Sequence, residues 1–204
     1  MRLVLASNNA KKLVEMQVLF GPLGLELVNQ GSLGIPEAEE PFVTFVENAL
    51  TKARHAAGQS GLAAIADDSG LCVAALNGAP GVLSARYATL FGQPKSDADN
   101  NRVLLEQMRD HVDAAERRAR FVSALVAVRS VDDPEPLIAF GRWEGQLLHE
   151  ATGAQGFGYD PLLFIPALGL SVAQLDAATK NQHSHRAIAA AQMLALMREA
   201  WHVG

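Results

Sequence analysis

A single cysteine, Cys72, leaves this 204-residue chain without a partner for an intrachain disulfide, which excludes the stapled scaffolds of small secreted proteins. Apolar residues supply 49% of the sequence, yet none of their runs reaches the ~18 positions that a membrane-spanning helix needs. No basic stretch, apolar run and small-residue cleavage site follow one another at the amino end, so the expected location is the cytoplasm, away from membranes. Basic charge is also scarce. Seventeen Lys and Arg stand against 22 Asp and Glu, a net charge of −5, which argues against broad binding to nucleic-acid backbones. The short cluster Arg117, Arg118, Arg120 reads as solvated charge at a strand end. Repeats and linkers are absent too, so residues 1–204 are read as one α/β domain, possible at this length in two lobes.

What is present alternates strand and helix. Residues 3–6 form a buried apolar run, and Leu13, Met16, Leu19 and Phe20 follow at helical spacing up to Gly21-Pro22. Residues 25–28 predict a short second strand. An acidic loop with Glu37, Glu39 and Glu40 leads to a helix that should open near Pro41 and close at Gly58, its apolar face carrying Phe42, Phe45, Val46, Ala49, Ala53 and Ala56. The run 63–66 predicts a strand ending in the turn Asp67-Asp68-Ser69-Gly70, residues 71–76 another strand, and Asn77-Gly78-Ala79-Pro80-Gly81 a hairpin. Ser96 and Asp97 cap a helix. Residues 121–128 and 137–143 form neighbouring strands, and a last helix covers 184–202.

Five segments carry chemistry. Asp67 and Asp68 bring two carboxylates and the Ser69 hydroxyl to a strand end, where open α/β sheets place ligands and where like charges call for a cation or a shared proton. Ser7, Asn8, Asn9, Ala10, Lys11 and Lys12 make a strand-to-helix turn suited to phosphate, although the Walker pattern is absent. On the next helix Glu47 and Lys52 lie five positions apart, about 140° around the axis, so they serve separate partners. Glu47 facing the two aspartates would complete an oxygen-rich Mg²⁺ site, with Lys52 offsetting phosphate charge. In Gly156-Phe157-Gly158-Tyr159-Asp160-Pro161 the glycines admit a flat ligand and the rings offer stacking surfaces. Lys180 and Ser184-His185-Arg186 then add cations and a titratable ring. Taken alone, the 156–161 loop reads equally as a packed turn, and each of the other segments reads better as a turn, a helix cap or a solvated face.

Together, and in this order, Ser7-x-Asn9-x-x-Lys12, Phe45-x-Glu47-Asn48-Ala49-x-x-Lys52-Ala53, Ala66-Asp67-Asp68-Ser69-Gly70, Gly78-Ala79-Pro80-Gly81, Ser84-Ala85-Arg86-Tyr87, the Gly156–Pro161 motif and Ser184-His185-Arg186 resemble the Mg²⁺-dependent pyrophosphatases of non-canonical purine nucleoside triphosphates. The resemblance covers nearly the whole chain. It implies a two-lobed α/β fold with a long mixed sheet flanked by helices, a central substrate cleft and a homodimer. It further implies that residues 7–12 hold the triphosphate, that Glu47 and Asp68 bind Mg²⁺ with Asp68 as general base, and that Lys52 and Lys180 offset phosphate charge. Ser69 contacts substrate, Phe157 stacks on the base beside Gly158, Tyr159 and Asp160 shape the pocket, and His185 with Arg186 reads the 6-keto edge. Asn8 stands where the family commonly has glycine, a position that asparagine tolerates if the backbone is left-handed. Two rivals from other classes remain: a nucleotide-binding regulator, which has no need of the carboxylates, and a Mg²⁺ phosphomonoesterase, which has none for Phe157 and the Ser-His-Arg trio.

Overall fold

The computed structural model describes residues 1–21 and 24–203. One seven-stranded sheet, in the order β2-β1-β3-β4-β5-β6-β7, runs through it. Its strands are β1 (Arg2–Leu5), β2 (Glu26–Asn29), β3 (Ala64–Val73), β4 (Arg118–Val128), β5 (Leu137–Leu147), β6 (Leu163–Ile165) and β7 (Leu170–Ser171). Pairing is parallel between β1 and its neighbours β2 and β3, and antiparallel along β5-β6-β7, so the sheet is mixed. The helices are α1 (Ala10–Phe20), α2 (Phe45–Ser60), α3 (Asp97–Gln107), α4 (Ala177–His183) and α5 (His185–Trp201). Among the described residues no helix is long and apolar enough to cross a membrane.

The chain divides into two compact units. The first comprises Met1–Asp68, Ser123–Gly141 and Ser184–Gly204. Because side chains alternate along a strand, its sheet has two apolar faces. Leu3, Leu5, Ile65, Leu125 and Ala127 cluster with Met16, Phe20, Ala189 and Met193 of α1 and α5. Val4, Ala64, Ala66, Val126 and Val128 cluster with Ala49, Ala53 and Ala56 of α2. The second unit, Ser69–Val122 and Arg142–His183, packs Leu71, Tyr87, Leu104, Phe121, Trp143 and Leu163 together.

Several expected elements stand: α3 is capped by Ser96, which accepts from the Asp99 N–H, and α5 by Ser184, which accepts from Ala187 N–H. The expected stop of α1 falls partly on Pro22, which lies outside the described residues; Gly21 is its C-cap. Other readings are corrected. No turn occurs at residues 67–70: β3 runs unbroken from Ala64 to Val73. Gly70 is there for close approach, since a Cβ would lie 2.3 Å from the Gly81 carbonyl oxygen and 2.4 Å from Ser84 Oγ. Helix α2 begins at Phe45, capped by Thr44, rather than near Pro41. Phe42 precedes it, its backbone N–H and C=O both bonded to the Asn48 amide. Residues 74–76 form a short 3₁₀ turn, and the expected hairpin reduces to one bridge between Cys72 and Pro80.

Of the basic cluster, Arg118 and Arg120 are exposed as expected, but Arg117 is not. It is buried, and its guanidinium donates to the carbonyls of Leu147, Met108, His111 and Leu148. Between β4 and β5, Asp133 accepts from the Arg129 backbone N–H at 2.8 Å, from the Arg129 guanidinium at 3.1 Å and from the Glu135 N–H at 3.1 Å. The Arg129 bond, with those backbone bonds, holds its carboxyl below the ordinary value, at about 2. A depressed native pKa contributes stability that is complete above the ordinary carboxylate value of about 3.9 and lost as pH falls through the native one. Asp133→Asn is therefore expected to unfold at lower urea than the parent at pH 7, with the difference shrinking as pH approaches 2.

Candidate active site

In the first unit β1 hands the chain to α1 through residues 6–9. Asn9 caps α1, its side-chain oxygen accepting from Lys11 N–H at 3.0 Å and Lys12 N–H at 3.2 Å, and Ser7 Oγ accepts from Asn9 N–H at 3.2 Å. Asn8 is not left-handed: among the described residues only Asn77 and His202 are non-glycine residues of positive φ. The turn leaves Asn8, Asn9, Ala10 and Lys11 exposed and sends Lys12 inward.

The adjacent aspartates do not form a pair. Successive residues of an unbroken strand point to opposite faces, so Asp67 turns toward α1 and α5 while Asp68 turns toward α2. Asp67, side chain 1% exposed, meets Lys12 Nζ at 2.8 Å and Arg186 Nε at 3.2 Å, and its other oxygen accepts from Ser123 Oγ–H at 2.6 Å. Burial pushes its carboxyl up, but Lys12 and Arg186 overcome this and hold it well below the usual range. Arg186 also pairs with Glu15 at 3.0 Å. Burial lowers the Lys12 ammonium, with Asp67 opposing.

On the other face Lys52 Nζ lies 2.8 Å from Asp68 Oδ1 and 2.7 Å from Glu40 Oε1. Burial disfavours its charge, yet the two carboxylates raise its pKa. Burial pushes the Asp68 carboxyl up, and Lys52 offsets only part of that. Asp68 Oδ2 is buried without a hydrogen-bond partner among the described residues. Both lysines reach one backbone oxygen, the Asp67 carbonyl, Lys52 at 3.0 Å and Lys12 at 3.5 Å. Two ammonium groups and a carboxylate with one unused oxygen thus converge where strand β3 passes residue 68.

Glu47 and Lys52 do have separate partners. Glu47 is exposed and accepts from the Thr44 hydroxyl at the cap of α2. The carboxylate that shares Lys52 with Asp68 is instead Glu40, which sequence reasoning placed only in an acidic loop. At the start of α5, His185 and Arg186 are buried. Gly141 of β5 makes room for them: a Cβ there would meet the His185 carbonyl oxygen at 1.8 Å.

In the second unit the 156–160 loop is fixed by Asp160, whose carboxylate accepts from Phe157 N–H at 2.9 Å and pairs with Lys180 Nζ at 2.8 Å. The Lys180 ammonium also sits 4.8 Å over the Phe157 ring, a cation–π contact. Gly158 N–H donates to Asp97, and Asn101 donates to the Gly158 carbonyl. The Tyr159 hydroxyl donates to the Ser84 carbonyl at 3.0 Å, and burial pushes its pKa up. Ser69 is half-buried on β3. Burial likewise raises the Cys72 thiol, which disfavours the nucleophilic thiolate.

The model of the Ham1 family matches residues 3–196. The chain belongs to the Ham1 family. It is 65% identical to a dITP/XTP pyrophosphatase of Leptothrix cholodnii, with each chain covered in full, and 63% identical to one of Methylibium petroleiphilum over 98% of this chain and 99% of the relative. Among solved structures it resembles a HAM1 protein from Coxiella burnetii, with TM-score 0.89 and 44% identity over 98% of this chain and all of that one. A nucleoside-triphosphatase / dITP/XTP pyrophosphatase from Mycobacterium abscessus aligns with TM-score 0.73 and 40% identity over 96% of this chain and 98% of that one.

Proposed function

We propose that the chain hydrolyses non-canonical purine nucleoside triphosphates of the inosine and xanthosine type to the nucleoside monophosphate and pyrophosphate. The observation that carries this reading is the convergence of Lys12 and Lys52 on the Asp67 carbonyl beside an oxygen of Asp68 that has no hydrogen-bond partner among the described residues. A triphosphate needs cations to offset its charge before a nucleophile can approach. Lys12, Lys52 and the turn formed by Ser7, Asn8, Asn9, Ala10 and Lys11 supply that. Asp68, its proton affinity raised by burial, takes a proton from a water that attacks the α-phosphorus, and the bond to the β-phosphate oxygen breaks to release pyrophosphate.

The donor set fits Mg²⁺. Asp68 Oδ2 is a hard oxygen without a hydrogen-bond partner among the described residues, Glu40 shares Lys52 with Asp68, and Glu47 stands exposed on α2. No group of three or more candidate ligands is assembled among the described residues, which suits an ion that keeps waters and takes one or two carboxylates plus substrate phosphates. When bound, Mg²⁺ supplies neutralisation of the phosphate oxygens.

Base choice falls to Phe157, Gly158, Tyr159 and Asp160, with Lys180 holding the loop, and to His185 and Arg186, with Ser69 touching the nucleotide. Asp67 and Glu15 already fix the Arg186 guanidinium, so it is a preorganised donor for a 6-keto oxygen. A 6-amino group would leave that donor unpaired, at a cost of roughly 1–3 kcal/mol. The proposal extends to a homodimer, which sedimentation would test, in the cytoplasm. The deciding assay offers inosine, xanthosine, guanosine and adenosine triphosphates with Mg²⁺ and quantifies pyrophosphate and orthophosphate separately. Pyrophosphate from the first two, with the last two spared, is the expected result; orthophosphate alone would point to a phosphomonoesterase.

A further inference from the structure

We infer that Asp67 and Ser123 form a positioning pair for the phosphate-binding lysine, and that Asp67 itself touches neither metal nor substrate. Three observations support this. Asp67 faces away from Asp68, across the strand. Its carboxylate joins groups from separate elements, Lys12 from α1 and Arg186 from α5, so its orientation fixes both cations at once. That orientation is set from the neighbouring strand, because the fully buried Ser123 donates to Oδ1 and leaves Oδ2 for the cations.

With Glu15 on the far side of Arg186, two cations are matched by two anions. The Lys12 ammonium is therefore held in one place at the Asp67 carbonyl while a phosphate oxygen can still displace it from that weaker contact at 3.5 Å. This rests on the triphosphatase reading, and it adds a residue whose effect on binding runs through no charge of its own.

The test is Ser123→Ala, with Ser123→Thr as the conservative variant. Ser123→Ala should raise KM for inosine triphosphate about tenfold, as expected for a lost hydrogen bond to a charged group, with kcat within about twofold; threonine should restore KM. Wild-type KM in the alanine variant, including the case where only apparent kcat falls in proportion to the fraction folded, would overturn the inference. Calorimetric binding of inorganic tripolyphosphate separates the two readings. If the parent protein binds it but turns over no triphosphate, the proposed function fails and the Kd ratio of parent to Ser123→Ala decides the positioning role. If the parent does not bind it, both fall.

Discussion

Asp68→Asn is expected to lower kcat by about 10²–10⁴-fold while triphosphate binding persists. Asparagine matches aspartate in shape and can turn its oxygen toward Lys52, so the ammonium keeps an acceptor at the place where Asp68 Oδ1 now lies at 2.8 Å. Lys52 also retains Glu40 and the Asp67 carbonyl, so the phosphate-binding cation stays where it is. What disappears is the basic oxygen. Oδ2, buried and without a hydrogen-bond partner in the aspartate, becomes an amide that can neither accept the water's proton nor bind a cation as a carboxylate does. Single-turnover release of pyrophosphate, beside calorimetric titration of tripolyphosphate, separates the two effects. Unchanged turnover would remove Asp68 as the base; turnover and binding lost together would make it a binding group.

Much of this arrangement can be read from the sequence, and the parts that cannot share a cause. Helices α3 and α5 announce themselves by a serine cap and helical apolar spacing, and β4 and β5 by long β-rich runs, because those signals are local. Asp67-Asp68-Ser69-Gly70 is locally a turn sequence, but the contacts that keep it extended come from far along the chain. Ser84 accepts the Leu71 N–H at 2.9 Å and donates to Gly81 at 2.6 Å, close against Gly70. Once the strand is continuous, period-two alternation separates the two aspartates, and the expectation of a paired-carboxylate metal site dissolves with the turn. The start of α2 was within reach: Thr44-x-x-Glu47 is a capping pattern that outranks Pro41, and Thr44 does accept the Glu47 N–H.

The site residues divide along the same line. Lys12, Lys52, Asp68 and Arg186 stand in motifs whose spacing can be read. Glu40 meets Lys52 through a loop contact, Ser123 meets Asp67 from another strand, and Glu15 meets Arg186 from another helix. No local pattern encodes these three, because each depends on which strands and helices become neighbours. Arg117 illustrates the converse. Beside Arg118 and Arg120 it looks solvated, yet it stands in the turn just before β4 and its guanidinium is buried among four carbonyl acceptors.

Asp67→Ala is expected to lower the unfolding free energy by about 3–5 kcal/mol, because removing one partner of a buried ionic network leaves the others uncompensated. Lys12 and Arg186, with side chains only 17% and 6% exposed, would keep their charges with Asp67 gone, and Glu15 alone, itself 18% exposed, cannot balance both. Urea unfolding at neutral pH measures the loss, and a midpoint equal to the parent's would mean the network adds no stability. A second variant shows what the network is kept for. Replacing Asp67 by Leu together with Lys12→Met and Arg186→Met removes the three innermost charges at once and leaves only Glu15, the most exposed of the four, and apolar replacements of buried ion pairs are often neutral or stabilising by about 1–4 kcal/mol. The triple variant should therefore unfold at higher urea than Asp67→Ala yet bind no tripolyphosphate. Stability recovered without binding would locate the reason for these buried charges in the phosphate they hold rather than in the fold; a triple variant as unstable as Asp67→Ala would return the network to the fold.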